Sequence, residues 1–466
     1  MTRDAAIATC PADSSTSVHE WLASGTDRLG QSWAGRRVTV VGLGRSGLAA
    51  ARLLCRAGAH VRATEARDTD ALRAAKESLL ACGAHEVELG HHTHRLMAGT
   101  ETVVVSPGVP ESSHPMQWAQ EHRVPIVSEI ELAYLFCPSP IIAVTGTNGK
   151  STAVTLIAAV LTAAGRHAVA CGNLGIPFAS VVEQLTSQSI AVVEVSSFQL
   201  LGCEQFRPRI GILLNIGTNH LDRHVDPEAY LASKARLFQR QTPEDWAVLN
   251  GTDPRIAAIG ERLYAPCAWF GRNRSNGPAL QLASQTLSAL TPSAQAVLQV
   301  GRLVGIPDPL TWQILRTFRG LEHRLEEVAT VGGVRFVNDS KSTTPDSLLY
   351  ALAQTKGALV VIAGGRDKGM DFTPLAEALH TDRVKGIVLI GESRARLHAL
   401  FNGSPPVRES GTLEDAVDAA VALAQPGTTV LFSPACASFD MFRDFEDRGR
   451  VFKAVVRACA NRAGTP

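Results

Sequence analysis

Neither sign of charge is in excess: Lys and Arg number 45, Asp and Glu 44, for a net charge of +1. No overall field therefore draws the chain to nucleic acid or to an anionic membrane surface, and any anion site must be built locally. Long apolar runs are missing too. No stretch approaches the roughly 18 apolar residues of a membrane span, and the opening MTRDAAIATCPADSS has no apolar segment of the secretory type. Paired cysteines are absent: nine are scattered from Cys10 to Cys459 with no C-x-x-C, which argues against a disulfide framework or a thiolate zinc site and for a reducing, cytoplasmic setting. Nucleic-acid and membrane partners are accordingly not expected. Aromatic residues are only 5% of the chain, yet hydrophobic ones are 45% of 466 residues, ample for the cores of two to four domains at about 100–200 residues each.

What is present is a rhythm. From Arg37 onward short Val/Ile/Leu runs alternate with Ala/Leu-rich segments, as in VTVVGLG followed by SGLAAARLLCRAG, the pattern of βα units around mainly parallel sheets. Residues 1–35, rich in Ser, Thr, Asp and Gly, break that rhythm and read as a loose extension with one short helix around Val18 to Leu22. The Pro-bearing turn CPSP at 137–140 marks one boundary, and the restart at GVRFVNDS after Leu325 marks another. The expectation is an α/β protein of three domains, at 36–138, 139–325 and 326–466.

Two glycine-rich turns carry the chemistry. Gly42, Gly44 and Gly47 follow the strand VTVV and open a helix, and Glu65 ends the next strand 18 residues later. This arrangement allows close approach of a diphosphate, with an acid for a ribose or base. Such a turn also fits a dinucleotide-dependent oxidoreductase. The second turn is more specific. Gly146, Thr147, Asn148, Gly149, Lys150, Ser151 and Thr152 follow the strand IIAVT, although Val144 stands where the usual P-loop pattern has its first glycine. Backbone N–H groups at the helix start can hold phosphates, Lys150 adds a point charge, and a hydroxyl of Ser151 or Thr152 can reach Mg²⁺. Glu194, at the end of AVVEVSS, suits a hard cation on the same rim. His220 and His224 are four apart, but Leu221 fills the glutamate position of H-E-x-x-H, so a zinc protease is excluded. Lys234, in YLASK, reads by itself as a solvated lysine, and HHTH at 91–94 as a surface loop.

TGTNGKST, EVSSFQL, NIGTNHLDRH with YLASK, GLEHR, NDSKSTTPDS, GGRDKG and SPACASFDMF occur in that order. Together they resemble the Mur ligase family, and within it the branch that adds glutamate, from about Arg37 to the carboxyl end. The resemblance implies a Rossmann-like first domain, a P-loop ATPase-like central domain and a Rossmann-like last domain. It implies as substrates ATP, UDP-N-acetylmuramoyl-L-alanine and D-glutamate, with Mg²⁺, in a cytoplasmic monomer. Arg45, Ser46, Gly47, Glu65, Arg67, Ser106, Pro107, Gly108 and Asn173 match UDP-substrate contacts. Arg324, Asp339 and Lys341 match ATP contacts beside the loop at 146–152, and Thr343, Lys368, Ser438 and Phe445 match contacts to glutamate. The implied metal ligands are Ser151, Glu194, His220 and Lys234, the last as a carbamylated lysine; Lys150, Glu194, His220 and Lys234 are the implied catalytic group. One segment departs from the family. Ala289, Leu290 and Ser293 stand where the family has the His and Asn residues of its adenine-contacting G-x-H-N motif. Two alternatives stand beside the main reading: a ligase for another amino acid such as L-glutamate, and a non-catalytic nucleotide-binding relative.

Overall fold

Residues 32–217, 226–271, 291–318, 320–367, 369–401, 403 and 405–463 are described by the computed structural model. The chain divides into two units, residues 1–318 and 319–466. The helix expected near Val18 lies outside the described residues, whereas Trp33 is buried, its ring stacked on Phe136.

The first unit holds two sheets. In the first, β1 (Arg37–Val41), β2 (His60–Glu65), β3 (Glu86–Leu89), β4 (Thr102–Val105) and β5 (Ile126–Ser128) lie in the order β3-β2-β1-β4-β5, every neighbouring pair parallel. Runs such as VTVV are apolar on both faces because helices cover both faces of a parallel sheet. The strand order reverses between β1 and β4, which opens a crevice at their carboxyl ends. The second sheet has β6 (Ile141–Thr145), β7 (Ala168–Gly172), β8 (Ile190–Glu194), β9 (Ile210–Leu213), β10 (Trp246–Asn250) and β11 (Cys267–Phe270) in the order β11-β10-β9-β6-β8-β7, again all parallel. All five residues of β6 are buried, and β8 and β9 flank it. Helix Lys150–Ala163 follows β6 and turns Val154, Ile157 and Leu161 into a core shared with Val297 and Val300 of helix Pro292–Leu303.

Helix Glu129–Phe136 joins the two sheets. Ser128 caps it through the Glu131 amide at 3.2 Å, and acids in its first turn suit the helix dipole. Both acids are nevertheless buried. Glu131 accepts from the amides of Gln205 (2.7 Å) and Phe206 (3.0 Å), and Glu129 from the amide of Ala179 at 2.6 Å. Burial pushes the Glu129 carboxyl up to about 7, against the pull of those backbone donors. An acid raised in the folded state binds its proton more tightly there than in the unfolded chain. Stability is therefore full below the ordinary carboxylate range, falls as pH rises toward 7, and levels off above it. Glu129→Gln copies the protonated acid and should remove this slope, gaining up to about 3 kcal/mol at pH 8 and almost nothing at pH 4. Denaturant melts at the two pH values check this; equal gains at both would refute it.

The second unit has one sheet of β12 (Glu326–Val331), β13 (Val334–Asn338), β14 (Leu359–Gly364), β15 (Val384–Ile390), β16 (Val407–Glu409) and β17 (Thr429–Phe432), in the order β12-β13-β17-β14-β15-β16. Here the mainly parallel pattern has one exception, an edge strand: β12 pairs antiparallel with β13. The reason is the two-residue turn Gly332–Gly333, with φ +56° and +78°, a left-handed pair that closes a hairpin and that glycine alone adopts freely.

Candidate active site

The strand β6 delivers its chain into a loop that only glycine can build. Gly146 has φ +146° and Gly149 φ +83°, and a Cβ on Gly149 would lie 2.3 Å from Ser293 Oγ. From Gly149 the chain enters helix Lys150–Ala163, whose first amides have no intrahelical acceptor and are suited to receiving an anion. Lys150 Nζ folds back over the loop and donates to the carbonyls of Gly146 and Thr147, each at 2.9 Å. Ser151 is buried behind it.

Asn215, just past β9, clamps this loop. Its Oδ1 accepts from the amides of Thr147 (3.1 Å) and Asn148 (2.9 Å), and its Nδ2 donates to the Asn148 carbonyl at 3.0 Å. Thr147 Oγ1 in turn accepts from the Gly217 amide at 2.7 Å and shares a 3.2 Å hydrogen bond with the Tyr230 hydroxyl. Ser293, at the start of helix Pro292–Leu303, donates to the Gly149 carbonyl at 3.0 Å. The cradle is thus held in shape by side chains from three later segments. Asn215→Ala removes three of these hydrogen bonds, and steady-state kinetics should show KM for the nucleoside triphosphate rising about tenfold as the loop loosens. An unchanged KM would show that the loop needs no clamp.

Glu194 ends β8, pairs with Val144 in register, and is buried. Its Oε1 accepts from Asn173 Nδ2 at 3.0 Å, while its carbonyl accepts from the Asn173 amide at 2.9 Å. Gly172 is required there, since a Cβ would fall 2.3 Å from that carbonyl. Lys234, expected by itself to be solvated, is buried at 2% exposure on helix Pro227–Ala235. Its Nζ donates to the Gly146 carbonyl at 3.1 Å and lies 4.4 Å from the centre of the Tyr230 ring, a cation–π geometry. Burial drives its pKa far below the usual lysine range, the nearby Lys150 ammonium adds to this, and Glu194 opposes it. The structure thus gathers Gly146, Thr147, Asn148, Gly149, Lys150, Asn173, Glu194 and Lys234 on one rim; His220 lies outside the described residues. Among the described residues no group of three or more His, Cys, Asp or Glu could hold a metal ion. The oxygens available, from Glu194 and Ser151, suit an ion such as Mg²⁺ that keeps phosphate and water among its ligands.

The first cradle is assembled by Ser106. Its Oγ donates to the Gly42 carbonyl at 2.8 Å, and a Cβ on Gly47 would fall 1.8 Å from that same carbonyl. Glu65 accepts from the Leu43 amide through Oε2 (2.9 Å) and from Arg67 Nε through Oε1 (3.0 Å). Burial raises the Glu65 pKa, but these donors outweigh it and hold the carboxyl below its ordinary value. Glu65 therefore braces the loop. Arg45 is exposed and Ser46 half-buried at the start of helix Arg45–Arg56, with Arg45 reaching the Gly175 carbonyl at 3.4 Å. A cavity of about 220 Å³ is lined by Ser106, Pro107, Val109, Ser128 and Gln199; Gly108 is exposed beside it in sequence.

In the second unit Arg324 sits between two residues with left-handed backbone, His323 (φ +63°) and Leu325 (φ +47°), and its guanidinium lies 5.9 Å from the Tyr350 ring centre. Asp339 is buried, accepts from the Leu325 amide (3.2 Å) and Ser433 Oγ (2.7 Å), and is pushed up to about 6 by burial, against these donors and Arg324. The Lys341 amide donates to the His323 carbonyl at 3.0 Å, and its Nζ lies 5.7 Å from the Phe445 ring centre. Thr343 is half-buried and Ser438 buried. Lys368 lies outside the described residues.

Comparison with known proteins gives this arrangement its relatives. Three family models match: "Mur ligase MurD-like, N-terminal domain" over residues 36–128, "Mur ligase middle domain" over 144–294, and "Mur ligase, glutamate ligase domain" over 323–436. A curated UDP-N-acetylmuramoylalanine--D-glutamate ligase of Geobacter metallireducens is 39% identical over 445 residues, covering 91% of this chain and 98% of its own. That of Geobacter sp. strain M21 is 37% identical over 443 residues, with the same coverage. The chain belongs to the Mur ligase family. Solved Mur ligases share its three-domain α/β fold. The MurF ligase of Thermotoga maritima in complex with ADP has a TM-score of 0.57 at 16% identity, covering 93% of this chain and all of its own. MurC of the same organism has a TM-score of 0.56 at 17% identity, covering 91% and 99%. In this Mur ligase Asn215 and Tyr230 open the motifs NIGTNHLDRH and YLASK, and Ser293 lies in the segment that departs from the family, but the sequence alone does not show that these three side chains shape the loop. Ala289 and Leu290 lie outside the described residues.

Proposed function

We propose that this chain is an ATP-dependent ligase that joins D-glutamate to the L-alanyl carboxylate of UDP-N-acetylmuramoyl-L-alanine, a cytoplasmic step in making peptidoglycan precursors. The observation that carries the reading is the convergence of Lys150, Glu194 and a buried Lys234 on one phosphate loop, in a chain whose curated relatives bear that activity as their name. The substrate carboxylate attacks the γ-phosphorus of ATP and the bond to the ADP oxygen breaks, giving an acyl phosphate. The amine of glutamate then adds to the acyl carbon, and phosphate leaves from the tetrahedral intermediate as the amine sheds its proton. Carboxylate and triphosphate repel one another, so the protein must supply positive charge in a fixed place. Lys150 and the amides opening helix Lys150–Ala163 supply it. Mg²⁺, held by Ser151, Glu194, His220 and Lys234, would neutralise further phosphate charge.

An oxygen ligand for Mg²⁺ at Lys234 requires the amine to be converted to a carbamate. Burial and Lys150 favour its neutral form, and a neutral amine can add to carbon dioxide, forming a C–N bond and releasing a proton to leave a carbamate. We assign Lys234 that modification. The remaining roles belong to the same proposal: Arg45, Ser46, Gly47, Glu65, Arg67, Ser106, Pro107, Gly108 and Asn173 for the UDP substrate; Arg324, Asp339 and Lys341 for ATP; Thr343, Lys368, Ser438 and Phe445 for glutamate; residues 36–138, 139–325 and 326–466 as the domains; and a monomer. Phosphate release measured with all three substrates, with each omitted in turn, and with L- in place of D-glutamate is the test. Release only in the complete D-glutamate mixture supports the proposal; release with L-glutamate alone, or none, overturns it.

A further inference from the structure

The second unit contains a buried cation that forms no ion pair with a carboxylate among the described residues. Arg448, on helix Phe445–Ala463, has no exposed surface, and among the described residues no carboxylate oxygen lies within ion-pair distance of it. Its donors go to neutral oxygens on two loops. Nε donates to Ser340 Oγ at 3.0 Å and Nη2 to the Ser340 carbonyl at 2.8 Å, both after β13; Nη1 donates to the Cys436 carbonyl at 2.9 Å, after β17. A third loop, after β14, closes against it: a Cβ on Gly365 would lie 3.2 Å from Nη1 and 2.4 Å from the Ala437 carbonyl. That loop is stitched to the β17 loop by the amides of Gly364 to Pro434 and Arg366 to Ala437, each at 2.8 Å. Ser340 Oγ extends the network to the Phe445 carbonyl at 2.8 Å.

Stability alone is a poor reason for this residue. A buried ion is costly to desolvate, and apolar replacements of similar volume often leave a protein as stable or more so. Burial indeed holds its pKa down at about 10, with the more distant Asp440 and Asp339 pulling the other way. What a planar guanidinium does that an apolar side chain cannot is fix several oxygens in one plane at set spacings.

We propose that Arg448 is a positioning residue for the amino-acid substrate: by fastening Ser340, Cys436 and the Gly365 turn to one point, it sets the spacing between Thr343, Ser438 and Phe445. This rests on the reading of those three residues as the glutamate contacts. Arg448→Met and Arg448→Lys are compared with the wild type by KM for D-glutamate, ATP and the UDP substrate, together with the melting temperature. Arg448→Met should raise KM for D-glutamate about twentyfold or more with KM for the UDP substrate within about twofold, and Arg448→Lys should recover part of the loss. Should the methionine variant fail to fold, Ser340→Ala, which removes one acceptor of the guanidinium, should raise the same KM about threefold. A D-glutamate KM unchanged in the folded variants, or three KM values rising together with a fallen melting temperature, overturns the inference. Wild-type turnover with D-glutamate tests the underlying reading separately.

Discussion

Lys150→Ala should abolish amide synthesis, lowering turnover about a thousandfold or more, while the UDP substrate still binds with near-unchanged affinity. The first half follows from position. Lys150 is the first residue of the helix that would face the phosphates in the proposed site, and its ammonium is held over the loop by the Gly146 and Thr147 carbonyls. A charge in that place has no substitute when a carboxylate must approach a triphosphate, because the orphan amides of the helix carry only about half a unit charge between them. The second half follows from separation of tasks. The first cradle is built by Gly42, Glu65 and Ser106, none of which is hydrogen bonded to the phosphate loop. Phosphate release and calorimetric titration with the UDP substrate read the two halves. Near-normal turnover would remove Lys150 from the mechanism.

Lys234→Met is the second change with a large expected effect. A lysine exposed on its helix would tolerate it with no consequence. Buried, and donating to the loop itself, Lys234 should when replaced by methionine lower turnover about a thousandfold with the melting temperature held or raised, since an apolar side chain of similar length suits the site. Wild-type enzyme in ¹³C-bicarbonate should show a carbamate carbon resonance that the variant lacks. Turnover within tenfold of wild type, or a resonance that survives the substitution, would sink the assignment of Lys234 as a modified metal ligand.

These residues differ in how plainly the chain displays them. The three mainly parallel sheets are legible because a strand buried on both faces reads as an unbroken apolar run, as in IIAVT and LVVIAG. Strand β12, EEVATV, is not, because its residues are half or wholly exposed and carry two glutamates. Glu194 can be placed from sequence, since it ends an apolar strand run on the same rim as the glycine-rich loop at 146–152. Lys234 is placed only by the family resemblance, because charge and helical periodicity by themselves predict a solvated side chain, and its burial comes from packing against Tyr230 and Gly146. Arg448 is hidden for a related reason. In FEDRGRVFK one more arginine looks like part of a charged helix face, and its burial depends on loops that arrive from about ten to over a hundred residues away.

The Gly146 carbonyl receives two lysines, Lys150 and Lys234. Burial, and after it the neighbouring Lys150 ammonium, push the deeper lysine, Lys234, toward its neutral form, with Glu194 opposing them. Depth therefore does what a difference in residue type does elsewhere. Of two identical side chains on one oxygen, the one almost closed off from water has its pKa pushed far below the usual lysine range.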